Sequence, residues 1–318
     1  GIKRDILTYR NGDIVMTNKV VILGSTNVDQ FLTVERYAKP GETLHVEEAQ
    51  KSYGGGKGAN QAIATARMKA DTTFISKVGN DGLAQFMFED FKAAGMNIDY
   101  ILESETEKTG QAYITVDAQG QNTIYVYGGA NMAMTPDDVK SAKAAIVDAD
   151  FIVAQLEVPV PAIIEAFKVA RAAGVTTVLN PAPAKEIPQE LLELIDVIVP
   201  NEFEAEILSG VPVTDEKSMA QNADYFLSLG AKVVIITLGE QGTYYAVEND
   251  SGLVPAQKVK AIDTTAAGDT FIGAFVSRFN MKERNLVEAI DFANKAASLT
   301  VQKSGAQASL PLAEEVQL

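Results

Sequence analysis

A carboxylate stands beside a run of small residues in the segment from Ala261 to Phe275, AIDTTAAGDTFIGAF. An apolar pattern follows the small residues and predicts a helix that begins near Gly268. Backbone N–H groups at a helix start, with almost no side chain over them, favour a phosphoryl group and the negative charge that grows on it during transfer. The segment therefore predicts an anion hole at Ala266, Ala267 and Gly268.

Asp269 falls in the first turn of this predicted helix. Its carboxylate could take a proton from a substrate hydroxyl while the neighbouring amides hold a phosphoryl group. An acidic residue at a helix start also stabilises the helix without any catalytic role. The segment alone leaves both interpretations of Asp269 open.

The composition limits which other groups could do acid-base chemistry. The chain of 318 residues has no cysteine and a single histidine, His45. Disulfides, thiolate metal sites and Cys nucleophiles are excluded, and His45 cannot by itself build a zinc site or a Ser-His-Asp triad. We therefore expect carboxylates or lysine to carry any proton transfer. The net charge of −15 argues against a nucleic-acid partner, since phosphate-backbone binding needs a basic surface.

A second cluster is the glycine-rich run Ser52–Asn60, SYGGGKGAN. Its glycines formally fit a dinucleotide fingerprint, but that pattern belongs directly after the first strand of the fold, and this run does not lie there. A Walker A loop also fails, because Lys57 is followed by Gly58 rather than Ser or Thr. The remaining interpretation is a loop that approaches a polyhydroxylated ligand, with Lys57 and Asn60 as hydrogen-bond donors.

Two further motifs follow predicted strands. Asn201-Glu-Phe-Glu204 comes after the run 196–199 and begins a helix, at the kind of strand end where open α/β sheets bind ligands. Gly239-Glu-Gln-Gly242 follows the run 232–238, and its glycines would let the chain pass close to a nucleotide. By themselves, an Asn at a helix start is also a plain N-cap with a solvated Glu204, and Gly-x-x-Gly is also a plain turn.

Together these motifs resemble the two signatures of the PfkB (ribokinase-like) family of carbohydrate kinases, SYGGGKGAN the first and DTTAAGDTF the second. The resemblance covers the chain from Lys19 to its C-terminus. It implies a ribokinase-like α/β fold of three layers, α/β/α, with a mostly parallel central sheet and a small antiparallel β lid. The activity it implies is ATP-dependent phosphorylation of D-ribose at its primary hydroxyl, giving D-ribose 5-phosphate.

The resemblance also implies roles for individual residues. The catalytic set is the general base and its anion hole: Asp269, Gly268, Ala267 and Ala266. The sugar-binding set is Asn27, Asp29, Gly55, Gly56, Lys57, Asn60, Glu157 and Asp269. The ATP-binding set is Asn201, Glu204, Thr237, Gly239, Gly242, Gly268 and Asn294. Glu204 would hold Mg²⁺ through water, and K⁺ as a monovalent activator would bind, largely through backbone oxygens, at Asp263, Thr265, Thr300, Gly305 and Ser309.

Alternatives to this activity stay open. Another PfkB kinase would act on fructose, ketodeoxygluconate, a nucleoside or a sugar phosphate; the polar set around Asn27 and Asp29 suits a small free sugar. A nucleoside would need an aromatic wall, for which Phe31, Tyr113 and Tyr125 are candidates, although aromatic residues on alternating strands more often pack a lid or an interface. A sugar-binding protein without catalysis on the same fold is the alternative from another class.

The elements that must position these residues alternate along the chain. Short β-branched runs predict buried parallel strands at 19–24, 72–78, 151–156, 175–179, 196–199, 232–238 and 243–247. Helical patterns lie between them at 57–69, 82–94, 161–173, 215–229, 268–280 and 286–302. Alternating strands and helices predict an α/β layered fold with a mostly parallel sheet.

Two segments break this alternation, 30–50 and 111–127, where strand patterns such as TLHVEEA (43–49) recur without helices. The loop Asp117–Gly120 joins two alternating runs and predicts a hairpin. We interpret both segments as the strands of a small antiparallel sheet that could serve as a lid, a dimer surface, or both. A homodimer through this lid is what the resemblance implies.

The segment 1–17, GIKRDILTYRNGDIVMT, has no apolar signal core and precedes a clean strand pattern. We expect it to be a remnant of an expression vector or a disordered N-terminus, outside a single α/β domain at 18–318. No apolar run approaches the roughly 20 residues that span a bilayer. The sequence therefore predicts no membrane association and a cytoplasmic protein.

Overall fold

The computed structural model describes residues 7–10 and 13–316. The strands of this part of the chain are β1 Leu7–Arg10, β2 Asp13–Met16, β3 Lys19–Leu23, β4 Asn27–Thr33, β5 Lys51–Gly55, β6 Asp71–Gly79, β7 Ile101–Ser104, β8 Gly110–Val116, β9 Asn122–Tyr127, β10 Phe151–Ala154, β11 Thr176–Leu179, β12 Val197–Ile198, β13 Val233–Thr237, β14 Thr243–Val247 and β15 Asp250–Val254.

The α-helices are α1 Lys57–Arg67, α2 Gln85–Ala93, α3 Pro136–Lys140, α4 Lys143–Val147, α5 Val160–Ala172, α6 Gln189–Leu192, α7 Glu202–Ser209, α8 Glu216–Ser228, α9 Ala267–Arg278 and α10 Leu286–Thr300. Short 3₁₀ helices lie at Gly129–Ala133, Gly239–Gln241, Gln307–Ser309 and Ala313–Glu315.

The central sheet has nine strands in the order β15-β14-β13-β12-β11-β10-β3-β6-β7. From β7 to β13 every neighbouring pair is parallel, and β14 and β15 continue the edge as antiparallel strands. Parallel strands need crossover connections, which the intervening helices supply. The sheet is therefore the mostly parallel one that the alternating sequence pattern predicts. The prediction of a parallel strand at 243–247 is wrong, because β14 follows β13 through a short connection that allows only an antiparallel pair.

Alternation along β3 shows how the helices cover both faces of this sheet. Val20 and Ile22 belong to a core shared with α1, α2, α9 and α10. Val21 and Leu23 point the other way, into a core shared with α3 to α8. Because successive side chains of a strand alternate between faces, one strand contributes to both cores. The predicted three-layer α/β/α arrangement is confirmed.

The small sheet differs from the prediction in one respect. Its order is β5-β4-β8-β9, and the central pair β4–β8 is parallel, while β5 and β9 pair antiparallel to their neighbours. The sheet is therefore mixed, because the chain leaves β4 and returns through α1, β6, α2 and β7 before it forms β8. The hairpin predicted at Asp117–Gly120 joins β8 to β9 and is confirmed.

The predicted strand TLHVEEA at 43–49 is wrong. These residues form no strand, and nearly all are exposed. Without a buried face, their alternation has no partner to pack against. Pairing with β4 begins only at Lys51, so Gly54 and Gly55 belong to β5 rather than to a loop.

The prediction about residues 1–17 falls partly outside the described residues. Within the segment, β1 and β2 pair with each other as an antiparallel hairpin, and the Asn11-Gly12 dipeptide between them is a sequence signal for such a hairpin. The sequence patterns also did not predict β7, β15, α3, α4 or α6, each of five residues or fewer.

Over residues 7–10 and 13–316, no helix is both long and apolar enough to cross a membrane.

Candidate active site

The turn before α9 has the backbone geometry expected of an anion hole. Ala266 precedes the helix in the left-handed conformation, with φ 65°. The first residues of α9 are Ala267, Gly268 and Asp269, and a Cβ added to Gly268 would meet no atom within 4 Å. The N–H groups of this first turn have no partner four residues back in the helix, and almost no side chain covers them. Ala267 N–H donates to Thr264 O at 3.3 Å, whereas the N–H groups of Gly268 and Asp269 have no backbone partner among the described residues. These two donors lie at the positive end of the helix, directly beside the Asp269 carboxylate.

Asp269 is buried, with 7% of its surface exposed. Its two carboxylate oxygens accept hydrogen bonds from consecutive residues of α1. Oδ2 accepts from Asn60 Nδ2 at 3.2 Å, and Oδ1 accepts from Gln61 Nε2 at 3.0 Å. Each oxygen keeps further acceptor capacity, since a carboxylate has about four lone-pair sites.

Burial raises the pKa of Asp269 above its ordinary value. The positive charge of Lys57 and the hydrogen bonds from Gln61 and Asn60 oppose that rise, and the charge of Glu157 adds to it. A carboxylate with a raised pKa is a stronger base than one in water. These opposing effects suit a group that is to accept a proton and not only to stabilise a helix start.

A close helix pair holds Asp269 against α1. At Gly273, one turn after Asp269, an added Cβ would lie 2.6 Å from Ala64 Cβ and 2.7 Å from Thr65 N. Ala64 lies one turn after Asn60 on α1, so the two helices touch at successive turns. Only glycine allows this approach, and the approach brings the amides of α1 within reach of the carboxylate.

The sugar-binding candidates surround the start of α1. Asn27 begins β4 opposite Gly55 of β5, and the Asp29 carboxylate packs so closely against Gly55 that any side chain there would overlap it. Gly56 makes the turn into α1 with φ 92°, and an added Cβ would lie 2.8 Å from Ser25 O. These glycines therefore allow the chain to approach the polar side chains of β4.

Glu157, three residues after the end of β10, joins this cluster through hydrogen bonds. Its Oε1 accepts hydrogen bonds from Ser25 Oγ at 2.7 Å and from the backbone N–H of Lys57 at 2.8 Å. Burial, with a further contribution from the charge of Glu157, raises the pKa of Asp29 to about 7. Asn60 Oδ1 is also buried and without a hydrogen-bond partner among the described residues. Such an acceptor fits a ligand hydroxyl, because an unmatched buried polar atom is costly.

A cavity of about 190 Å³ opens next to Asp269. Most of its lining is polar or small, and it includes residues from the sugar-binding, anion-hole and ATP-binding sets. The lining residues are Lys57, Asn180, Ala182, Val199, Asn201, Glu204, Thr237, Thr264, Ala266, Gly268, Asp269 and Ile272.

Asn201 and Glu204 form a reciprocal cap at the start of α7. Asn201 Oδ1 accepts from Glu204 N at 2.7 Å, and Glu204 Oε1 accepts from Asn201 N at 3.0 Å. Asn201 is thus an N-cap, but Glu204 is buried and not solvated. Burial raises the pKa of Glu204 above its ordinary value. The hydrogen bond from the Asn201 N–H and the positive charge of Lys57 act in the opposite direction and lower this pKa, but burial has the larger effect. Its carboxylate faces the same cavity as Asp269.

The other ATP-binding candidates are divided between the cavity and its surroundings. Thr237 lines the cavity and pairs with Asn201 in an isolated β-bridge. Gly239 and Gly242 flank a short 3₁₀ helix, both with positive φ. Asn294 is not among the residues that line the cavity. Its side chain is bound within the protein, because Oδ1 accepts from Thr243 Oγ1 at 2.7 Å and Nδ2 donates to Val254 O at 3.1 Å.

The monovalent-cation candidates lie in two adjoining loops, one before α9 and one after α10. Asp263 accepts hydrogen bonds from Thr265 N at 2.9 Å and from Gly305 N at 3.1 Å, which join the loops. Partial burial works against its ionisation, but these bonds outweigh burial and lower the pKa of Asp263. Thr300, the last residue of α10, donates from Oγ1 to Ser309 O at 3.4 Å, which joins the end of α10 to the loop that follows it.

Comparison with known proteins gives the family. The pfkB family carbohydrate kinase model matches residues 17–313. The chain belongs to the PfkB family of carbohydrate kinases. It is 73% identical over 301 residues to a ribokinase of Staphylococcus aureus (strain COL), a match that covers 95% of this chain and 99% of that protein.

Two other proteins to which the chain is similar extend this comparison. A bifunctional ribokinase/ribose-5-phosphate isomerase A of Fructilactobacillus sanfranciscensis is 57% identical over 298 residues, which are 94% of this chain and 55% of that protein. The solved structure of Arabidopsis thaliana ribokinase complexed with ribose and ATP is 33% identical, with a TM-score of 0.87 and coverage of 95% of this chain and 98% of that one. The fold predicted from the sequence is therefore the ribokinase-like fold of the family.

The donors at the PfkB site suit Mg²⁺ bound with a nucleotide better than a metal held by the protein alone. Among the described residues, no group of three or more His, Cys, Asp or Glu side chains could hold a metal ion. The cavity instead offers the buried carboxylate of Glu204, in addition to that of Asp269, with amide oxygens of Asn180 and Asn201 nearby. Mg²⁺ takes oxygen ligands, keeps several waters and commonly shares phosphates with its substrate, so this set fits.

The sequence patterns missed three residues that hold this PfkB site together. Gln61 contacts Asp269, and Asn180 accepts from Gln61. Asn131 donates to Asn27 Oδ1 at 2.7 Å. Gln61 directly follows SYGGGKGAN, and Asn180 follows the parallel strand β11, so both had positional signals. Asn131 lies in a 3₁₀ helix about 100 residues from Asn27, and no local pattern relates the two.

Proposed function

We propose that this chain phosphorylates D-ribose at its primary hydroxyl with MgATP, giving D-ribose 5-phosphate and ADP. The observation that carries the proposal is the buried Asp269 carboxylate beside the backbone amides at the start of α9, held by Asn60 and Gln61 from the helix that follows the sugar loop. The likeness to the S. aureus ribokinase at 73% identity and to the Arabidopsis ribokinase complexed with ribose and ATP supports the choice of ribose.

The reaction follows from this arrangement. Asp269 accepts the proton as the O–H bond of the sugar hydroxyl breaks, and the hydroxyl oxygen forms a bond to the γ-phosphorus of ATP. The bond between that phosphorus and the β–γ bridging oxygen breaks, and ADP leaves with the electron pair. The N–H groups of Ala266, Ala267 and Gly268 stabilise the charge on the transferring group. Glu204 would hold Mg²⁺ through water, and the ion would supply positive charge that neutralises the phosphates.

The sugar lies between β4 and α1 in this proposal. Asn27, Asp29 and Glu157 contribute the amide and carboxylate groups that bind its hydroxyls, and Gly55 and Gly56 let the backbone approach. Lys57 and Asn60 add donors from the start of α1. Asn60 then contacts both the sugar and Asp269, which fits its buried, unmatched Oδ1.

The nucleotide occupies the adjoining side of the cavity. Asn201, Glu204 and Thr237 face its phosphates, and Gly239 and Gly242 pass along it. Asn294 can contact the purine only if it gives up its hydrogen bond with Thr243 or with Val254 and forms one with the base instead.

K⁺ binds, in the same proposal, between the loops that hold Asp263, Thr265, Thr300, Gly305 and Ser309. Hydrogen bonds from Thr265 and Gly305 to Asp263 support this placement, because they hold the loop before α9 against the loop after α10.

A cytoplasmic homodimer completes the proposal. The outer strand β9 of the small sheet exposes Ile124, Tyr125 and Val126 in succession, an apolar edge that a second copy would cover.

A coupled ADP-release assay with a panel of sugars tests the activity. We expect ribose to give the highest kcat/KM, and Asp269→Asn to lower kcat by at least a hundredfold with a smaller effect on ribose affinity. Greater turnover with fructose or a nucleoside would favour another PfkB kinase. An absence of ADP release with every sugar would favour a binding protein without catalysis.

A further inference from the structure

The buried amide of Gln61 makes three hydrogen bonds within the active site. Gln61 lies on α1 and has no exposed surface. Its Nε2 donates to Asp269 Oδ1 and to Asn180 Oδ1, both at 3.0 Å. Its Oε1 accepts from Gln155 Nε2 at 2.7 Å. A primary amide has two N–H donors, and both are used here, so the side chain has only one orientation that satisfies its partners.

The partners of Gln61 are themselves held in place. Asn180 Nδ2 donates to Val199 O at 2.9 Å, which orients its oxygen toward Gln61. The amide of Gln155 packs against Gly24, where any side chain would overlap its oxygen. Residues from two strand ends, after β10 and β11, therefore fix the position from which Gln61 donates to Asp269.

We propose that Gln61 is a positioning residue for proton abstraction, whose amide, fixed between Gln155 and Asn180, holds the Asp269 carboxylate in the orientation that accepts the proton of the sugar hydroxyl. This inference rests on the proposed function. Asn60 donates to the other carboxylate oxygen of Asp269. Asn60 also belongs to the proposed sugar-binding set, so its hydrogen bonds would change when the sugar binds. Gln61 is not a sugar-binding candidate, and its other partners, Asn180 and Gln155, are side chains of the protein. We therefore expect Gln61 to hold the base both before and after the sugar binds.

The hydrogen bond from Gln61 also affects ionisation. A donor to a carboxylate favours its charged form, whereas burial favours the neutral form. Gln61 is one of the groups that keep the pKa of Asp269 from rising further in its buried site. Removal of the donor should therefore both loosen the carboxylate and make it protonate at higher pH.

Gln61→Met tests the inference, since Met has a similar volume and no amide. We expect kcat to fall by about ten- to a hundredfold, with KM for the sugar changed less than about threefold. The acidic limb of the kcat–pH profile should move to higher pH, because a base of higher pKa is protonated earlier as the pH falls. An unchanged profile with near-normal kcat would overturn the proposal.

Thr177→Val is the matched control for stability. Thr177 is buried at the start of β11, and its hydroxyl donates to Leu194 O, away from the cavity. We expect both Thr177→Val and Gln61→Met to lower the melting temperature. Thr177→Val, however, should leave kcat and the kcat–pH profile unchanged. If both variants lower kcat in proportion to their loss of stability, Gln61 has a structural role only.

Gln155→Met provides a second variant in case Gln61→Met does not fold. It removes the donor to Gln61 Oε1 and leaves the bond from Gln61 to Asp269 possible. We expect a several-fold loss of kcat and a smaller shift of the acidic limb in the same direction. If Gln155→Met changes neither kcat nor the acidic limb of the pH profile, the hydrogen bond from Gln155 does not hold Gln61 in place, and this part of the proposal is wrong.

A titration of the Asp269 carboxyl by ¹³C NMR separates this inference from the proposed function. If the unmodified protein releases no ADP with any sugar, the proposed function fails, yet the titration still reports on Gln61. Gln61→Met should titrate at higher pH than the unmodified protein, and identical titrations would overturn the role of Gln61.

Discussion

Asn131 Nδ2 donates a hydrogen bond of 2.7 Å to Oδ1 of Asn27, from a 3₁₀ helix to the start of β4. Asn131 is itself held by the backbone of Thr26, whose N–H donates to Asn131 Oδ1 at 2.9 Å. Because the oxygen of Asn27 is occupied, its N–H groups point away from Asn131. Asn27 is thereby fixed as a donor toward the proposed sugar site.

Asn131→Leu should therefore weaken sugar binding without touching the sugar. Loss of a buried hydrogen bond of this kind costs about 1–3 kcal/mol and leaves Asn27 free to rotate, so we expect KM for ribose to rise about tenfold with a smaller change in kcat. Asn222→Leu, which removes a buried amide of α8, is the control and should change stability but not the ribose KM. Steady-state kinetics that give equal ribose KM values for Asn131→Leu and the unmodified protein would contradict this role.

The pKa of about 7 for Asp29 predicts a dependence of stability on pH. The ordinary value is 3.8. Below pH 4 the carboxyl is protonated in both the folded and the unfolded chain, so its burial has no electrostatic cost. As the pH rises from about 4 to about 7, the unfolded chain loses the proton first and the fold is progressively destabilised. The whole difference, about 4 kcal/mol at about 1.4 kcal/mol per unit, applies above pH 7.

Asp29→Asn removes this cost. We expect the free energy of unfolding of the variant, relative to the unmodified protein, to grow by roughly 2.5 to 3 kcal/mol between pH 5 and pH 8, measured by urea denaturation. Ribose binding should weaken in the same variant, as often happens when a destabilised functional site is relieved. Asp137→Asn, in an exposed pair on α3, is the control. Parallel pH curves for Asp29→Asn and the unmodified protein would contradict the raised pKa.

The strands and helices of the main body were predictable because their signals are local. Each β-branched run that predicts a buried strand is matched by β3, β6 or one of β10 to β14, and Asp215 caps α8 as its position before the helical pattern indicates. The small sheet was harder, because its parallel pair β4–β8 joins segments about 80 residues apart and no local pattern encodes their direction. The alternating pattern at 43–49 predicted a strand that does not form. These residues are exposed, so their apolar side chains have no surface to pack against, and a strand depends on such packing.

The candidate site divides in the same way. Asp269, Gly56 and Asn201 occupy positions that sequence motifs specify, at helix starts and tight turns. The network of Gln61, Gln155 and Asn180 depends on three elements meeting in the core, and no spacing in the sequence relates them. Burial of Glu204 likewise follows from tertiary packing, whereas its cap follows from the sequence Asn201-Glu-Phe-Glu204.

The cation loops predict an ion-dependent rate. If K⁺ binds their carbonyls, it orders the turn that precedes the anion hole, and replacing K⁺ by choline or Tris should lower kcat/KM about fivefold or more. Asp263→Ala breaks the bonds to Thr265 and Gly305 and should raise the K⁺ concentration needed for half-maximal rate. A rate that is the same in K⁺ and in choline would rule out the cation site.

The apolar edge of β9 predicts self-association. Tyr125 is 76% exposed and Val126 is 64% exposed, so Tyr125→Glu should place a charge in the proposed interface and shift the protein toward monomer in sedimentation velocity. Phe203→Glu, on α7 and 63% exposed, lies outside the small sheet and should leave the oligomer unchanged. A monomeric unmodified protein at about 50 µM would contradict the dimer, since lid-mediated association should persist at such concentrations.

Two glycines of α9 predict opposite outcomes for the same substitution. At Gly273 an added Cβ would lie 2.6 Å from Ala64 Cβ, so Gly273→Ala must push α1 and α9 apart. Overpacking of this kind costs about 1–3 kcal/mol, and it also withdraws Asn60 and Gln61 from Asp269. We expect both the melting temperature and kcat to fall.

At Gly268 an added Cβ meets nothing within 4 Å, and φ is not in the left-handed region. Gly268→Ala should therefore keep or slightly raise the melting temperature, because alanine favours the helix by up to about 1 kcal/mol. Its methyl group would stand where the transferring phosphoryl group approaches the amides, so kcat should fall while the fold remains intact. Thermal unfolding with steady-state kinetics on both variants separates the two effects. Normal kcat in Gly268→Ala would mean that the phosphoryl group does not approach this turn.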